Sequence, residues 1–442
     1  MASEKIGLTE SISMAVGGMV GGGIFAVLGV VASAADTLAW LAFIVAGIIA
    51  LAAGYSFIRL GDLSKDDDDG PLTYIERFTG STKLAGMTGW TFVVGYIGTM
   101  AMYAFAFGGY FTELLGVRTV GGVPARPFIS ALVIVLFVGL NVLGAHASGR
   151  TEDVLVGLKV AILLVFGFGG IYYGFKHGKL RSGLAQFGVG PVIAAALSFV
   201  AFEGWELLLF DRDSIKNPAE TIRKAIYISI VGVTGLYIIV AVVTTDLVSP
   251  QVIQQNAETA LAVAARPFLG EAGFVLISIA ALFSTGSAIN ATLFSSSRLL
   301  NKMVSEDYLP AQVGGNGDGE PVRALVILGT LTAAFTVLGS LDGISSFASL
   351  AFITIFGAAS YLAFRNRSGD DVKTSVVPAV GTVGAIATIA ALLWHLYTSE
   401  NPVFWTVAGI TVAVVAAEVL YFERKSIENG VSSMESELED IV

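Results

Sequence analysis

Apolar stretches long enough to cross a bilayer follow one another along almost the whole chain, with short polar segments between them. A window of about 19 residues predicts about twelve spans. They run Ile12 to Ala34, Leu38 to Ile58, Leu84 to Leu114, Phe128 to Gly144, Val154 to Phe175, Val189 to Phe210, Ala225 to Thr245, Phe274 to Leu300, Ala324 to Leu338, Ile344 to Phe364, Val376 to Leu396 and Pro402 to Tyr421. The pattern is that of an all-α polytopic membrane protein with the lipid bilayer as its solvent. Inside the first span lies Gly21-Gly22-Gly23, flanked by Met19-Val20 and Ile24-Phe25. Each glycine costs a helix roughly 1 kcal/mol relative to alanine. A backbone opened at mid-membrane is tolerated only where its N–H and C=O groups line a cavity or meet a ligand. The triplet therefore predicts a break and half of a binding site; the competing reading is that small residues let another helix approach closely.

The sixth span carries a second unlikely piece of helix, Phe199-Val200-Ala201-Phe202-Glu203-Gly204-Trp205-Glu206, with a glycine beside two carboxylates. Interrupted helices at matching positions of two five-span halves point to a substrate site at the interface of inverted repeats. The organisation expected is a core over 1–365, made of repeats at about 12–175 and 189–364. Two additional spans over 376–422 and an acidic tail over 423–442 follow.

Lysine and arginine set the orientation. With both termini in the cytoplasm, about 18 basic residues lie inside, among them Arg59, Lys83, Arg212, Arg223, Arg298 and Lys302, against about 6 outside. That places the chain as a multi-pass protein of the cell membrane. The inner segment Leu60 to Lys83 has the makings of a short amphipathic helix, and the outer segment Val248 to Gly270 of a lid over the seventh and eighth spans.

Composition then removes several functions. There is no cysteine, and the three histidines, His146, His177 and His395, are far apart, so no metal site and no cofactor are expected. The net charge of −10 sits mostly outside the spans, in Asp66 to Asp69 and in Glu435, Glu437, Glu439 and Asp440, which disfavours a nucleic-acid partner and would suit a high-salt habitat. No signal peptide is read at the N-terminus. No serine-histidine pair or phosphate-binding loop suggests an enzyme.

The stretch Val16-Gly17-Gly18-Met19-Val20-Gly21-Gly22-Gly23-Ile24-Phe25 resembles the first-span motif of the amino acid-polyamine-organocation superfamily, a G-[SA]-G-[IV]-F core. Phe202-Glu203-Gly204-Trp205-Glu206 with Lys216-Asn217-Pro218 and Ala225-Ile226 resembles its sixth span and following loop. Ser287 to Pro310, with Asn290, Arg298 and Leu309-Pro310, resembles its eighth. The matches reach to about residue 365 in the right order. Two positions depart: Gly22 stands where serine or alanine is common, and Arg223 where proline is usual.

The resemblance implies a leucine-transporter-type fold and a carrier of amino acids. Residue chemistry agrees. Amide donors at Gly22 and Gly23, beside Gly21 of the same binding set, suit a carboxylate, and carbonyl acceptors at Met19, Val200 and Glu203 suit an ammonium. Ile24 and Gly204 complete the binding set, and Phe199 or Phe202 would be an aromatic lid or ordinary packing. Lys159, about six residues into the fifth span, costs roughly 2.5 to 3.5 kcal/mol on insertion scales. Burial penalises its ammonium form, so it could exchange a proton during a cycle; snorkelling to the surface is the alternative. By resemblance it would stand where sodium-coupled relatives hold an ion, near Gly17, Ser284 and Thr285. Glu203 and Glu206, three apart, are candidates for protonation or selectivity, and the alternative is a structural ion pair with a loop arginine. Asn141, Asn290 and Glu418 are expected to bond between helices. The reading is a proton-coupled transporter, monomeric or a homodimer, working by alternating access. Amino acid/amine exchange, sodium coupling and a non-transporting amino acid sensor are the alternatives.

Overall fold

A computed structural model describes residues 5–64, 70–143, 149–181, 183, 188–314, 321–367 and 372–423. His146, Asp66 to Asp69 and the acidic tail lie outside them. The apolar stretches fold as helices because hydrocarbon leaves the backbone no other partner than itself. In order they are α1 (Leu8–Ala35), α2 (Ala39–Ser64), α3 (Pro71–Thr79), α4 (Thr82–Leu115), α5 (Ala125–Val142), α6 (Gly149–Lys176), α7 (Gly190–Ser198) and α8 (Leu207–Phe210). They continue as α9 (Pro218–Leu247), α10 (Pro250–Gln255), α11 (Ala260–Ser305), α12 (Val322–Leu338), α13 (Leu341–Arg365), α14 (Val372–Ser399) and α15 (Asn401–Phe422). Among the described residues ten apolar stretches are long enough to cross a membrane; the first of them holds both α1 and α2, and α12 is a shorter apolar helix of 17 residues. Counting α7 and α8 as one interrupted span, the described residues carry the twelve that the hydropathy pattern predicts.

Central and peripheral helices differ in what they touch. α1 packs on α4, α6, α7, α9 and α11 and is buried along most of its length. α5, α14 and α15 turn large apolar side chains outward, such as Leu132, Trp394 and Trp405, as lipid-facing helices do. The segment between the second and third spans does form a short helix: α3 starts at Pro71 after Gly70 and buries Leu72, Tyr74 and Ile75. The segment after α9 differs from expectation. Its α10 and a 3₁₀ turn over Ala257–Thr259 rest on α1 and α4, and α11 has already begun at Ala260, bending at Gly270, where φ is +63°.

The expected break in the first span is absent. α1 is one helix of 28 residues with no interruption at Gly21–Gly23. The reason is that each glycine is met by a neighbour. A Cβ on Gly21 would lie 2.8 Å from Ala288 Cβ, and one on Gly23 would lie 2.8 Å from Ala201; one on Gly22 would fall inside the Tyr103 ring. Close approach, the competing reading of the triplet, is what these residues provide, and packing offsets their poor helix propensity.

The sixth span is interrupted as expected. α7 ends at Ser198, a 3₁₀ turn covers Phe199–Phe202, Glu203 is extended (φ −74°, ψ 148°), and Gly204 adopts φ +121° before the four residues of α8. Only glycine accepts that backbone readily.

Candidate functional site

The backbone groups released by this interruption are met from α13. Ser349 accepts from the Val200 N–H (3.1 Å) and donates to Leu197 O (3.2 Å), which also accepts from Ser345 (3.1 Å). The Glu203 N–H donates to Val200 O at 3.2 Å. Gly204 lies against the first span, so that a Cβ on it would come within 2.7 Å of Gly18 Cα and C, and one on Gly18 within 2.8 Å of Gly204 Cα. Two glycines at one crossing let an irregular backbone touch a regular helix.

Both carboxylates of the interruption are fully enclosed, Glu203 at 1% exposure and Glu206 at 0%. α4 supplies their partners from a column of tyrosines seven residues apart, which lie on one face of the helix. Tyr96 donates to Glu206 Oε1 (3.2 Å), Tyr103 donates to Glu203 Oε2 (3.0 Å), and Tyr110 donates to Phe25 O (3.1 Å). Glu206 Oε2 accepts from the Gly204 N–H at 2.8 Å. Glu203 Oε1 is buried and has no partner among the described residues. Tyr237 of α9 ties the two spans together, donating to Met19 O (2.7 Å) and Ala201 O (2.9 Å).

A cavity of about 380 Å³ rises to this crossing from one end of the molecule. Ile6, Glu10, Met14 and Gly18 form one wall, Leu207, Phe210 and Asp211 another, and Asn290, Arg298 and Lys302 of α11 a third. On α1 the lining stops at Gly18. Beyond it Tyr103 fills the space beside Gly22, and the far end is closed where Ala257 meets Gly29 and Glu258 meets Gly109. The arrangement is a buried polar crossing, reached from one side and sealed on the other.

The family profile described as amino acid permease matches residues 6–417. The chain belongs to that family. Within the amino acid-polyamine-organocation superfamily this makes it a membrane transporter of the amino acid permease type and not an enzyme, with a small-molecule substrate. Similar proteins include the inner membrane transport protein YbaT of Escherichia coli, 28% identical over 95% of this chain and 96% of that one. The methylthioribose transporter of Bacillus subtilis is 25% identical over 93% and 92%, and the serine/threonine exchanger SteT of the same species is 26% identical over 70% and 69%.

The permease engages many of the groups singled out from sequence with its own atoms. The amides of Gly21, Gly22 and Gly23 are inside α1, Met19 O is taken by Tyr237, and Val200 O by Glu203. Phe199 packs on Phe356 (5.7 Å between ring centres), Phe202 sets its edge to Tyr237 (5.5 Å), and Ile24 is buried. Lys159 is 5% exposed on α6, which packs on α1, α9 and α11, so it does not snorkel. Ser284 donates to Val20 O at 3.2 Å, Thr285 to Ala281 O of its own helix at 2.7 Å, and Gly17 is buried. Asn141 does bond across helices, to Asn290 at 2.8 Å, whereas Glu418 is buried with Oε1 unpartnered among the described residues. The tyrosines of α4, Tyr237 and the α13 serines were not among the expected site residues. Their signal was present: polar aromatics at a seven-residue spacing in an apolar span.

Proposed function

We propose that this permease is a secondary transporter of amino acids that works by alternating access and couples to protons. The observation that carries the reading is the enclosed crossing of Gly18 and Gly204, with Glu203 beside it, at the head of a cavity that opens to one side only. In a two-repeat scheme the cavity is the release path and the sealed end the entry path. The carboxylate of Glu203, with one oxygen lacking a partner among the described residues, suits a substrate ammonium and favours cationic cargo. The substrate carboxylate would go to the amides of Gly22 and Gly23, next to Gly21, which requires α1 to open there when substrate enters and Tyr103 to move off Gly22. Met19, Ile24, Phe199, Val200, Phe202 and Gly204 would line the space so formed.

Lys159 would carry the coupling proton, as an enclosed ammonium with Gly17, Ser284 and Thr285 on the neighbouring helices, and Glu206 is the second protonatable group. Uptake of labelled amino acids into proteoliposomes tests this, with an imposed pH gradient and with or without sodium. The expected result is uptake that follows the inward proton gradient without sodium, and loss of that dependence in Lys159→Ala. Uptake that needs sodium and ignores the gradient overturns the coupling. Exchange is the second reading, favoured by similarity to the serine/threonine exchanger. It predicts strong stimulation by preloaded amino acid or amine.

A further inference from the structure

The second half of the sixth span separates two cavities. Leu207, Phe210 and Asp211 face the large one, while Leu209 and Arg212 line a second, of about 180 Å³, whose other walls come from the end of α2, from Tyr74 of α3 and from the start of α9. It lies at the same end of the molecule as Ile6, which bridges to Ile215 beside it.

The second cavity is basic at its centre. Arg212 Nη1 donates to Tyr74 Oη at 2.8 Å, which fixes the guanidinium, and Arg212 Nε is buried with no partner among the described residues. Gly61 keeps the approach free, since a Cβ there would come within 2.9 Å of Tyr74 Oη and 3.5 Å of Arg212 Nη1. The carboxylate in the wall, Asp62, is already held by Arg223, whose Nη2 donates to both of its oxygens (2.9 and 2.8 Å). Pro218 and Ala219, in the first turn of the 30-residue α9, add the positive end of a helix dipole. A guanidinium fixed in the wall, its charge in excess of the Arg223–Asp62 pair, and a helix N-terminus together match a phosphate group.

We propose that this cavity is a phosphate-binding site on the back of the sixth span's second half, occupied by the headgroup of an anionic lipid or by free phosphate. An occupant there joins the segment after α8 to α2, α3 and α9, on the face opposite the cavity assigned to substrate, and the site stands independently of the transport reading.

The test uses the full chain in nanodiscs of phosphatidylcholine, with thermal unfolding followed by tryptophan fluorescence at constant ionic strength. One arm mixes phosphatidylglycerol into the discs and the other adds inorganic phosphate. The expected result is a rise in Tm of about 4 °C in one arm, abolished by Arg212→Gln. Ala219→Glu places a carboxylate at the mouth from an exposed position and abolishes the same rise without disturbing the interior. A rise with phosphatidylglycerol alone identifies a lipid headgroup, and a rise with phosphate alone identifies a soluble anion. No rise in either arm, or a rise that survives both substitutions, overturns the proposal.

Discussion

The first and sixth spans both carry glycine at mid-depth, yet one is a continuous helix and the other is broken. α1 has three glycines in a row and keeps its hydrogen bonds, because side chains of α4 and α11 and the backbone of the sixth span close on the bare positions. The sixth span has a single glycine at its centre and opens, because Glu203 beside it is drawn to Tyr103 on α4 and the serines of α13 take up the freed backbone groups. A lack of helix propensity does not break a buried helix; partners for the broken ends do. The glycines of α1 supply room, and the glycine of the sixth span supplies a dihedral angle.

Substitutions can separate those two uses. Gly204→Ala is expected to have the largest effect, since it imposes φ +121° on a residue with a side chain and drives that side chain onto the Gly18 backbone. A loss of more than about 3 kcal/mol follows, read as a collapse of monodisperse protein on size exclusion or a large drop in Tm. No second substitution relieves it, because the obstructing atoms are main chain. Gly22→Ala should cost about 1–3 kcal/mol as overpacking against the Tyr103 ring. Here relief is available. Trimming the ring in Gly22→Ala/Tyr103→Val should leave the double variant about 1 kcal/mol or more better than the sum of the single losses. Strict additivity would mean that α1 and α4 do not share this space.

Much of this was legible beforehand, and the failure is instructive. Span number, the interruption at Phe202–Gly204 and the family came from hydropathy and from short motifs, which are local properties of the chain. The state of α1 is not local. Whether Gly21–Gly23 opens depends on Tyr103, Ala201 and Ala288, which lie about 80 to 265 positions away in sequence. The enclosed partners of Glu203 and Glu206 were missed for a similar reason: a tyrosine column on a span reads as core until the facing helix is known. Glu203 and Lys159 were legible as ionisable groups in apolar surroundings, though not the bonds Glu203 makes.

A third substitution tests the joint between the two spans. Tyr237→Phe keeps the ring against Phe202 but removes one hydroxyl that serves Met19 O and Ala201 O. Met19 O retains its bond within α1, so the loss falls mostly on the irregular side, at Ala201 O. A cost of about 1 to 2 kcal/mol is expected. Hydrogen exchange should rise at Ala201 to Gly204 more than at Met19 to Gly23. Equal loss of protection in both would mean that α1 is no more secure than the broken span.

The smallest expected effect lies where the interrupted span ends, at Asp211, beyond the membrane-spanning stretch. Burial pushes its carboxyl above the usual carboxylate range, helped by Asp213, while the Ser214 hydroxyl at 3.1 Å and Arg298 pull it back. The folded chain therefore holds this proton more tightly than the unfolded chain does. The stability linked to it is fully present below the ordinary aspartate value of about 3.9, and is lost as pH rises through the raised folded value. Asp211→Asn is neutral at every pH and lacks this term, so its Tm relative to the native chain should climb across the acid range and level off towards neutrality. Asp211 is only partly buried, so solvent screening should hold the difference to under about 2 °C. A difference of the opposite sign would mean that Arg298 outweighs desolvation, and that the second half of the sixth span is held by an ion pair at its end rather than by packing alone.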